Sequence, residues 1–199
     1  MSSVLSDADL DQLFRVARTQ NAWTSEPVTD AQLKALYDIY KMGPTSGNCQ
    51  PARVLFIRSE AAKARLLPCM SPGNQEKTKT APVNAIIGFD THFYEHLPRL
   101  FPHNLAMKDN FAGAGKEAAA HAAAFRNGSL QGAYLMIAAR SLGLDIGGMS
   151  GFDAAKADAE FWAGTTVKTN FVCNIGHGDS SKVMGRLPRF DFDEINKIL

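Results

Sequence analysis

Residues 116–142 read KEAAAHAAAFRNGSLQGAYLMIAARSL. The first half is alanine-rich. The second half, AYLMIAA at 133–139, is apolar on every side. A helix without a polar face is a buried one, so this stretch predicts a long central helix, the spine of a domain, closed by Gly143-Leu144. The apolar run at 133–139 is far too short to cross a bilayer.

Strands and helices are expected on both sides of this spine. Upstream, Val83 to Phe89 (VNAIIGF) reads as a buried strand. Downstream, Asp153 to Phe161 reads as a short helix and Thr166 to Ile175 (TVKTNFVCNI) as a strand. Near the start, Ser6 opens a helix whose Leu10, Leu13, Phe14 and Ala17 recur at helical spacing, running out near Arg18 to Asn21. Thr29 with Gln32 forms a capping box for a second helix, with Leu33, Leu36, Tyr37 and Tyr40 on its apolar face and Gly43-Pro44 as its stop. A polar loop from Gly43 to Pro51 precedes a strand at Arg53 to Arg58 and a helix at Glu60 to Leu67. Ser71 to Asn74 is expected to turn, leaving Gln75 to Thr80 as one helical turn. The segment from Thr91 to Ala114 mixes aromatics, three histidines, Pro98, Pro102 and Gly113, and is expected to be an irregular, mobile excursion. The tail from Leu187 reads as loop with a final helical turn. This order predicts one domain over residues 1–199, an α+β or α/β sandwich.

Lys plus Arg is 21 and Asp plus Glu is 20, a net charge of +1. That balance argues against a dedicated nucleic-acid binder or a polybasic membrane protein. Cys49, Cys69 and Cys173 form no CxxC pair, which fits a reducing compartment. Met1 to Leu10 carries Asp7 and Asp9 and no basic region before an apolar run, so a cytoplasmic protein is expected.

Four motif matches are set aside. Gly113-Ala114-Gly115-Lys116-Glu117-Ala118 fits a loose dinucleotide fingerprint but follows no strand. His92-Phe93-Tyr94-Glu95-His96 fits an inverted zinc-protease pattern, yet a third ligand is needed and Pro98 interrupts it, so no metal is expected. Asn127-Gly128-Ser129 is a glycosylation sequon inside the long helix. Cys49 sits in a polar loop with no identifiable histidine partner.

Three polar clusters carry more together than apart. Arg18-Thr19-x-Asn21 can hold a phosphate, since a guanidinium forks onto two oxygens. Pro44-Thr45-Ser46-x-Asn48 is a stiff loop able to offer several donors and acceptors to a planar ligand. Gly147-Gly148-Met149-Ser150-Gly151 lets backbone N–H groups approach a ligand closely.

In this order, with Asn74-Gln75-Glu76-Lys77, Ala81-Pro82-Val83, Leu142-Gly143-Leu144-Asp145 and Asn174-Ile175-Gly176-His177-Gly178, these stretches resemble the FMN-dependent nitroreductase superfamily. The resemblance covers nearly the whole chain. It implies a three-layer sandwich, helices around a mainly antiparallel sheet, and an intertwined homodimer with FMN at the subunit interface. Arg18 and Thr19 fall where the family binds the FMN phosphate, and Asn21 falls where many members have Lys or Arg. Arg189 matches a C-terminal phosphate-side cation, while Asp191 falls near the second cation of the usual pair. Asn74 matches the residue on the flavin's pyrimidine edge, and Lys77 a cation near it. Pro44, Thr45, Ser46 and Asn48 match the loop reaching the flavin from the opposite subunit. Ser150 and Gly151 match the backbone against flavin N5 and O4, with Met149 just before them.

Within the superfamily the chain is most similar to the branch containing malonic semialdehyde reductase. The shared stretches are Gly43 to Cys49, Phe93-Tyr94-Glu95-x-Leu97-Pro98, Phe125-Arg126-Asn127 and Gly178 to Lys182. The resemblance implies hydride transfer from NADH or NADPH through flavin N5 by a ping-pong route, with no catalytic side chain required. Lys77 would stabilise charge near N1 and O2. The excursion, with Phe93, Tyr94, Phe101, His103 and Phe111, would cover the flavin, and His103 or Arg99 would hold a small carboxylate. A broad nitroaromatic or quinone reductase on the same site, or a flavin-binding protein without turnover, are the alternatives.

Overall fold

A computed structural model describes residues 3–199. Four strands form one sheet in the order β1-β2-β4-β3: β1 (Ala52–Ile57), β2 (Val83–Asp90), β3 (Asp145–Met149) and β4 (Val167–Gly176). Every pairing is antiparallel. The helices are α1 (Asp7–Leu10), α2 (Asp30–Tyr40), α3 (Glu60–Leu66), α4 (Pro72–Thr80), α5 (Leu97–Leu100), α6 (Glu117–Ser141), α7 (Ala154–Phe161) and α8 (Phe192–Ile195). Among the described residues no helix is long and apolar enough to cross a membrane.

The sheet is covered on both faces, which makes three layers. Side chains alternate across a strand. Val83, Ala85 and Ile87 of β2 face Leu36 and Tyr40 of α2 and Leu135, Ala138 and Ala139 of α6. Ile86, turned the other way, clusters with Leu66 of α3, Trp162 after α7, and Met149 and Val172. All eight residues of β2 are buried, as its unbroken apolar run predicts. The predicted capping box of Thr29 with Gln32 forms, and the helix start expected at Ser6 is closed by a second box, with Asp9.

Four expectations are corrected. The turn expected at Ser71 to Asn74 is helical: Pro72 stands in the first turn of α4, where a missing N–H costs nothing. Only Thr78 of α4 is buried, so no apolar stripe announced it. The glycine-rich stretch 147–151, read only as backbone open to a ligand, lies partly in a strand that was not expected, β3. Gly147 is required there, because a Cβ would lie 2.5 Å from the Gln20 carbonyl oxygen of the crossing N-terminal segment. That segment joins the sheet edge through a bond from Gln20 N–H to the Ile146 carbonyl, 2.9 Å. The excursion is irregular but anchored, since Phe93 and Leu97 are fully buried in a third cluster with Cys49, Phe89, Ala120 and Ala124. Lastly, α6 is not buried all round, because Phe125, Leu130 and Tyr134 are 40–48% exposed.

Candidate active site

The N-terminal segment, the C-terminal tail and α6 enclose a cleft of about 300 Å³. Arg18, Thr19 and Asn21 line it from one side and Arg189 from the other. Two further arginines, Arg140 and Arg186, line it as well. Arg140 comes from the last turn of α6, and Arg186 lies three residues before Arg189. Both were missed in the sequence, since neither sits in a recognisable cluster.

Four guanidiniums therefore face one cleft, and none forms an ion pair among the described residues. They are held instead by carbonyls. Arg140 Nη1 donates to the Leu13 carbonyl at 2.9 Å, and Arg189 Nη1 donates to those of Leu187 and Pro188 at 3.1 and 3.0 Å. Arg18 donates to the Met184 carbonyl and Arg186 to that of Arg15. Carbonyl anchoring fixes each side chain without an ion-pair partner among the described residues, so the cleft suits an anion of high charge density. Burial pushes Arg140 down from its ordinary value, opposed by the nearby Asp145 carboxylate. Asp191 does not join the cationic set: it caps α8, in a capping box with Glu194.

From this cleft the polar surface continues onto α4. Lys77 Nζ donates to Asn21 Oδ1 at 3.2 Å. The Lys77 carbonyl accepts from Trp23 Nε1 at 3.2 Å and from Asn174 Nδ2 at 3.0 Å. Asn174 is fully buried and pairs across the sheet with Asn84, whose Nδ2 donates to Asn174 Oδ1 at 2.7 Å and to the Thr78 carbonyl at 2.9 Å. Two buried amides thus tie the end of α4 to β2 and β4 through their donors, while Asn84 Oδ1 is left without a partner among the described residues.

Beside Lys77 stands Asn74, whose Nδ2 donates to the Gly151 carbonyl at 2.8 Å. A Cβ at position 151 would lie 2.6 Å from that Nδ2, so the contact requires glycine. Ser150 is exposed next to it. Met149 differs: it is 6% exposed, with Thr78 Oγ1 at 3.7 Å from its Sδ, so only its backbone is available to a ligand.

The remaining predicted residues lie elsewhere. The 44–51 loop joins β2 at its Asp90 end, where Asp90 N–H donates to the Pro51 carbonyl at 2.8 Å. Ser46 N–H donates to Asn127 Oδ1 at 2.9 Å, and Asn48 Nδ2 to the Leu100 carbonyl at 2.8 Å. Gly47, Asn48 and Gln50 all have positive φ, a compact conformation in which Thr45 Oγ1 accepts from the Gln50 N–H at 3.2 Å while Pro44 and Ser46 are exposed. Lys77 sits at the opposite end of β2, beside Asn84. An eight-residue strand spans roughly 25 Å, so within one chain the two groups do not meet.

Two of the set-aside motifs pack against their neighbours. His92 is tilted against Tyr94, Glu95 Oε2 accepts from Lys108 Nζ at 2.6 Å, and the stretch is a single 3₁₀ turn rather than an α-helix. No group of three or more His, Cys, Asp or Glu is placed to hold a metal among the described residues. Cys49 is 2% exposed and its thiol is pushed up by burial, a core residue rather than a nucleophile.

The fold and site define an α+β sandwich with an arginine-lined cleft at its sheet edge. The chain matches the Nitroreductase family over residues 14–177 and belongs to it. A relative from Polynucleobacter asymbioticus is 56% identical over 199 residues, covering 100% of both chains. One from Burkholderia lata is 57% identical over 196 residues, 98% of this chain and 99% of that one. Both are provisionally named NADH dehydrogenase/NAD(P)H nitroreductase. Among solved structures, a provisionally named nitroreductase in complex with FMN from Exiguobacterium sibiricum has a TM-score of 0.84 at 17% identity, covering 100% of both chains. A Bacillus subtilis protein, ydfN, has a TM-score of 0.85 at 17% identity, covering 98% of this chain and 100% of that one.

Proposed function

We propose that the chain is an FMN-dependent NAD(P)H oxidoreductase that works as a homodimer and reduces small carbonyl or nitro compounds. The observation that carries this reading is the continuity of the site: four unpaired arginines lead through Asn21 and Lys77 to the Asn74–Gly151 pair. A ligand that fits it has a phosphate at one end and a flat ring with amide-like edges at the other, as FMN does. The names of the 56–57% identical relatives and the FMN complex of the similar fold support it further.

FMN, when bound, supplies the redox chemistry, accepting hydride at N5 from NAD(P)H and returning it to an acceptor. The chain's own residues bind and orient. Arg18, Arg140, Arg186 and Arg189, with Thr19, would hold the phosphate. Asn74 would offer its amide to the pyrimidine edge. Lys77, fixed by Asn21, would place positive charge where negative charge develops on reduction. The missing side chain at Gly151 would let the backbone of 149–151 approach the ring.

Pro44, Thr45, Ser46 and Asn48 reach such a ring only from a second copy, given their place at the far end of β2. Exposed apolar side chains support that second copy. Tyr37, Ile39 and Met42 on or just after α2 and Phe125, Leu130 and Tyr134 on α6 are each 40% or more exposed.

For the acceptor, malonic semialdehyde is our first reading, supported by the resemblance of the 93–98 and 178–182 stretches. A nitroaromatic is the second, favoured by the names of the relatives. Steady-state rates on both separate them. A kcat/KM at least about a hundredfold higher for the semialdehyde supports the first reading, and comparable values remove it.

A further inference from the structure

A second polar cavity lies away from the arginine cleft, between α2, the start of β1 and the α5 turn. It has a volume of about 330 Å³, within the small-ligand range. Lys41, Arg53, His96 and Arg99 line it, and no Asp or Glu does. Two of these side chains are already engaged: Arg53 Nη2 lies 2.7 Å from Asp90 Oδ2, and Lys41 Nζ lies 2.5 Å from Asp38 Oδ1. Arg99 and His96 form no ion pair among the described residues.

The floor is made of donors as well. Gln131 is 5% exposed. Its Oε1 accepts from the Ala52 N–H at 2.9 Å, which fixes the amide and leaves the NH₂ toward the cavity, with no protein acceptor among the described residues. Tyr40 is 7% exposed and also lines the cavity. Burial beside Tyr37 pushes its hydroxyl up to about 12, so it remains a proton-bearing donor at any physiological pH. An amide NH₂ and a phenol at the base, a free guanidinium at the mouth and no carboxylate in the wall form a receptor for a planar anion.

We propose that this cavity binds the carboxylate of a small organic acid, with Gln131 and Tyr40 donating from its base and Arg99 closing over it. The carboxylate comes either from a free organic acid or from the acceptor itself. Gln50, in the wall, donates through Nε2 to Asn48 Oδ1 at 2.6 Å, which joins the cavity to the loop assigned to a second copy's ring. Only the acceptor source rests on the flavin reading.

Malonate titrated calorimetrically into the native protein tests the proposal without any turnover. Wild type is expected to bind it, Arg99→Gln to bind about tenfold more weakly, and Tyr40→Phe about threefold more weakly. Arg189→Gln, in the other cleft, retains the wild-type affinity, and neutral malonamide does not bind. No binding by wild type overturns the proposal, as does an affinity lost in Arg189→Gln but kept in Arg99→Gln. Turnover then tells the sources apart. For a carboxylate on the acceptor, Arg99→Gln lowers the ratio of kcat/KM for malonic semialdehyde to that for a nitroaromatic about tenfold. For a free organic acid, that ratio holds while malonate binding still weakens about tenfold.

Discussion

Lys77 and Asn21 stand 56 positions apart in the chain and meet through a 3.2 Å hydrogen bond from Nζ to Oδ1. The bond joins the segment carrying Arg18 to the helix carrying Asn74, and so turns two clusters into one surface. An amide at position 21 accepts from the lysine where a second cation would repel it. Replacing Lys77 with Met is therefore expected to leave flavin bound through its phosphate but to slow its reduction by NADH on the order of a hundredfold. Anaerobic stopped-flow absorbance reads this directly. Reduction at the wild-type rate would remove Lys77 from the site.

The arginine cleft sets cofactor affinity. Arg18→Ala and Arg189→Ala each remove one charge-assisted partner for a phosphate, about 1.5–3 kcal/mol, or roughly 10- to 100-fold in Kd for FMN. Riboflavin, which lacks the phosphate, should lose little in either variant. Equal losses for FMN and riboflavin would place the effect on the fold rather than on the cleft.

The buried Asn84–Asn174 pair holds α4 against the sheet. Asn174→Leu leaves the Asn84 amide with only the Thr78 carbonyl and the Lys77 carbonyl with only Trp23. We expect a destabilisation of about 1–3 kcal/mol in urea unfolding, together with weaker FMN binding. Destabilisation with unchanged affinity would show the pair to be structural alone.

Acid should weaken the native state through three capping carboxylates. Asp9, Asp153 and Asp179 are all held below the ordinary carboxylate value by hydrogen bonds, from Ser6, the Lys156 N–H and Ser181 respectively. Groups lowered in the folded state contribute stability above the unfolded value of about 3.9 and lose it as pH falls through the native value. Melting temperature measured from pH 6 to pH 2.5 is expected to fall mainly below about pH 4. A flat profile there would contradict the caps. At the alkaline side Cys173, fully buried and pushed up to about 12, should not react with a thiol reagent at pH 8 before unfolding.

Much of this architecture was legible in the sequence, for physical reasons that differ along the chain. The spine at 117–141 was readable because so long an alanine-rich and apolar run has few other solutions, and β2 because its apolar run is unbroken. β3 was hidden because two glycines carry no strand signal, and its reason lies in a distant contact, the Gln20 carbonyl pressed against Gly147. The start of α4 was hidden because its residues are nearly all polar. At the site, Arg18 and Lys77 sit in motifs, whereas Arg140 and Arg186 are single cations brought in by the fold. The exposure of Phe125 and Tyr134 on the spine was not legible either. Composition distinguishes apolar from polar, but not a buried core from an exposed apolar face.

The central claim is a bound flavin that accepts hydride. The most direct measurement is the visible absorption spectrum of the purified protein, saturated with FMN and freed of excess, before and after NADH is added without oxygen. The account predicts a yellow protein that bleaches. A protein that stays colourless after incubation with FMN would contradict the assignment of the arginine cleft and of Asn74 and Lys77 together, and a yellow protein that neither NADH nor NADPH bleaches would contradict the enzymatic reading.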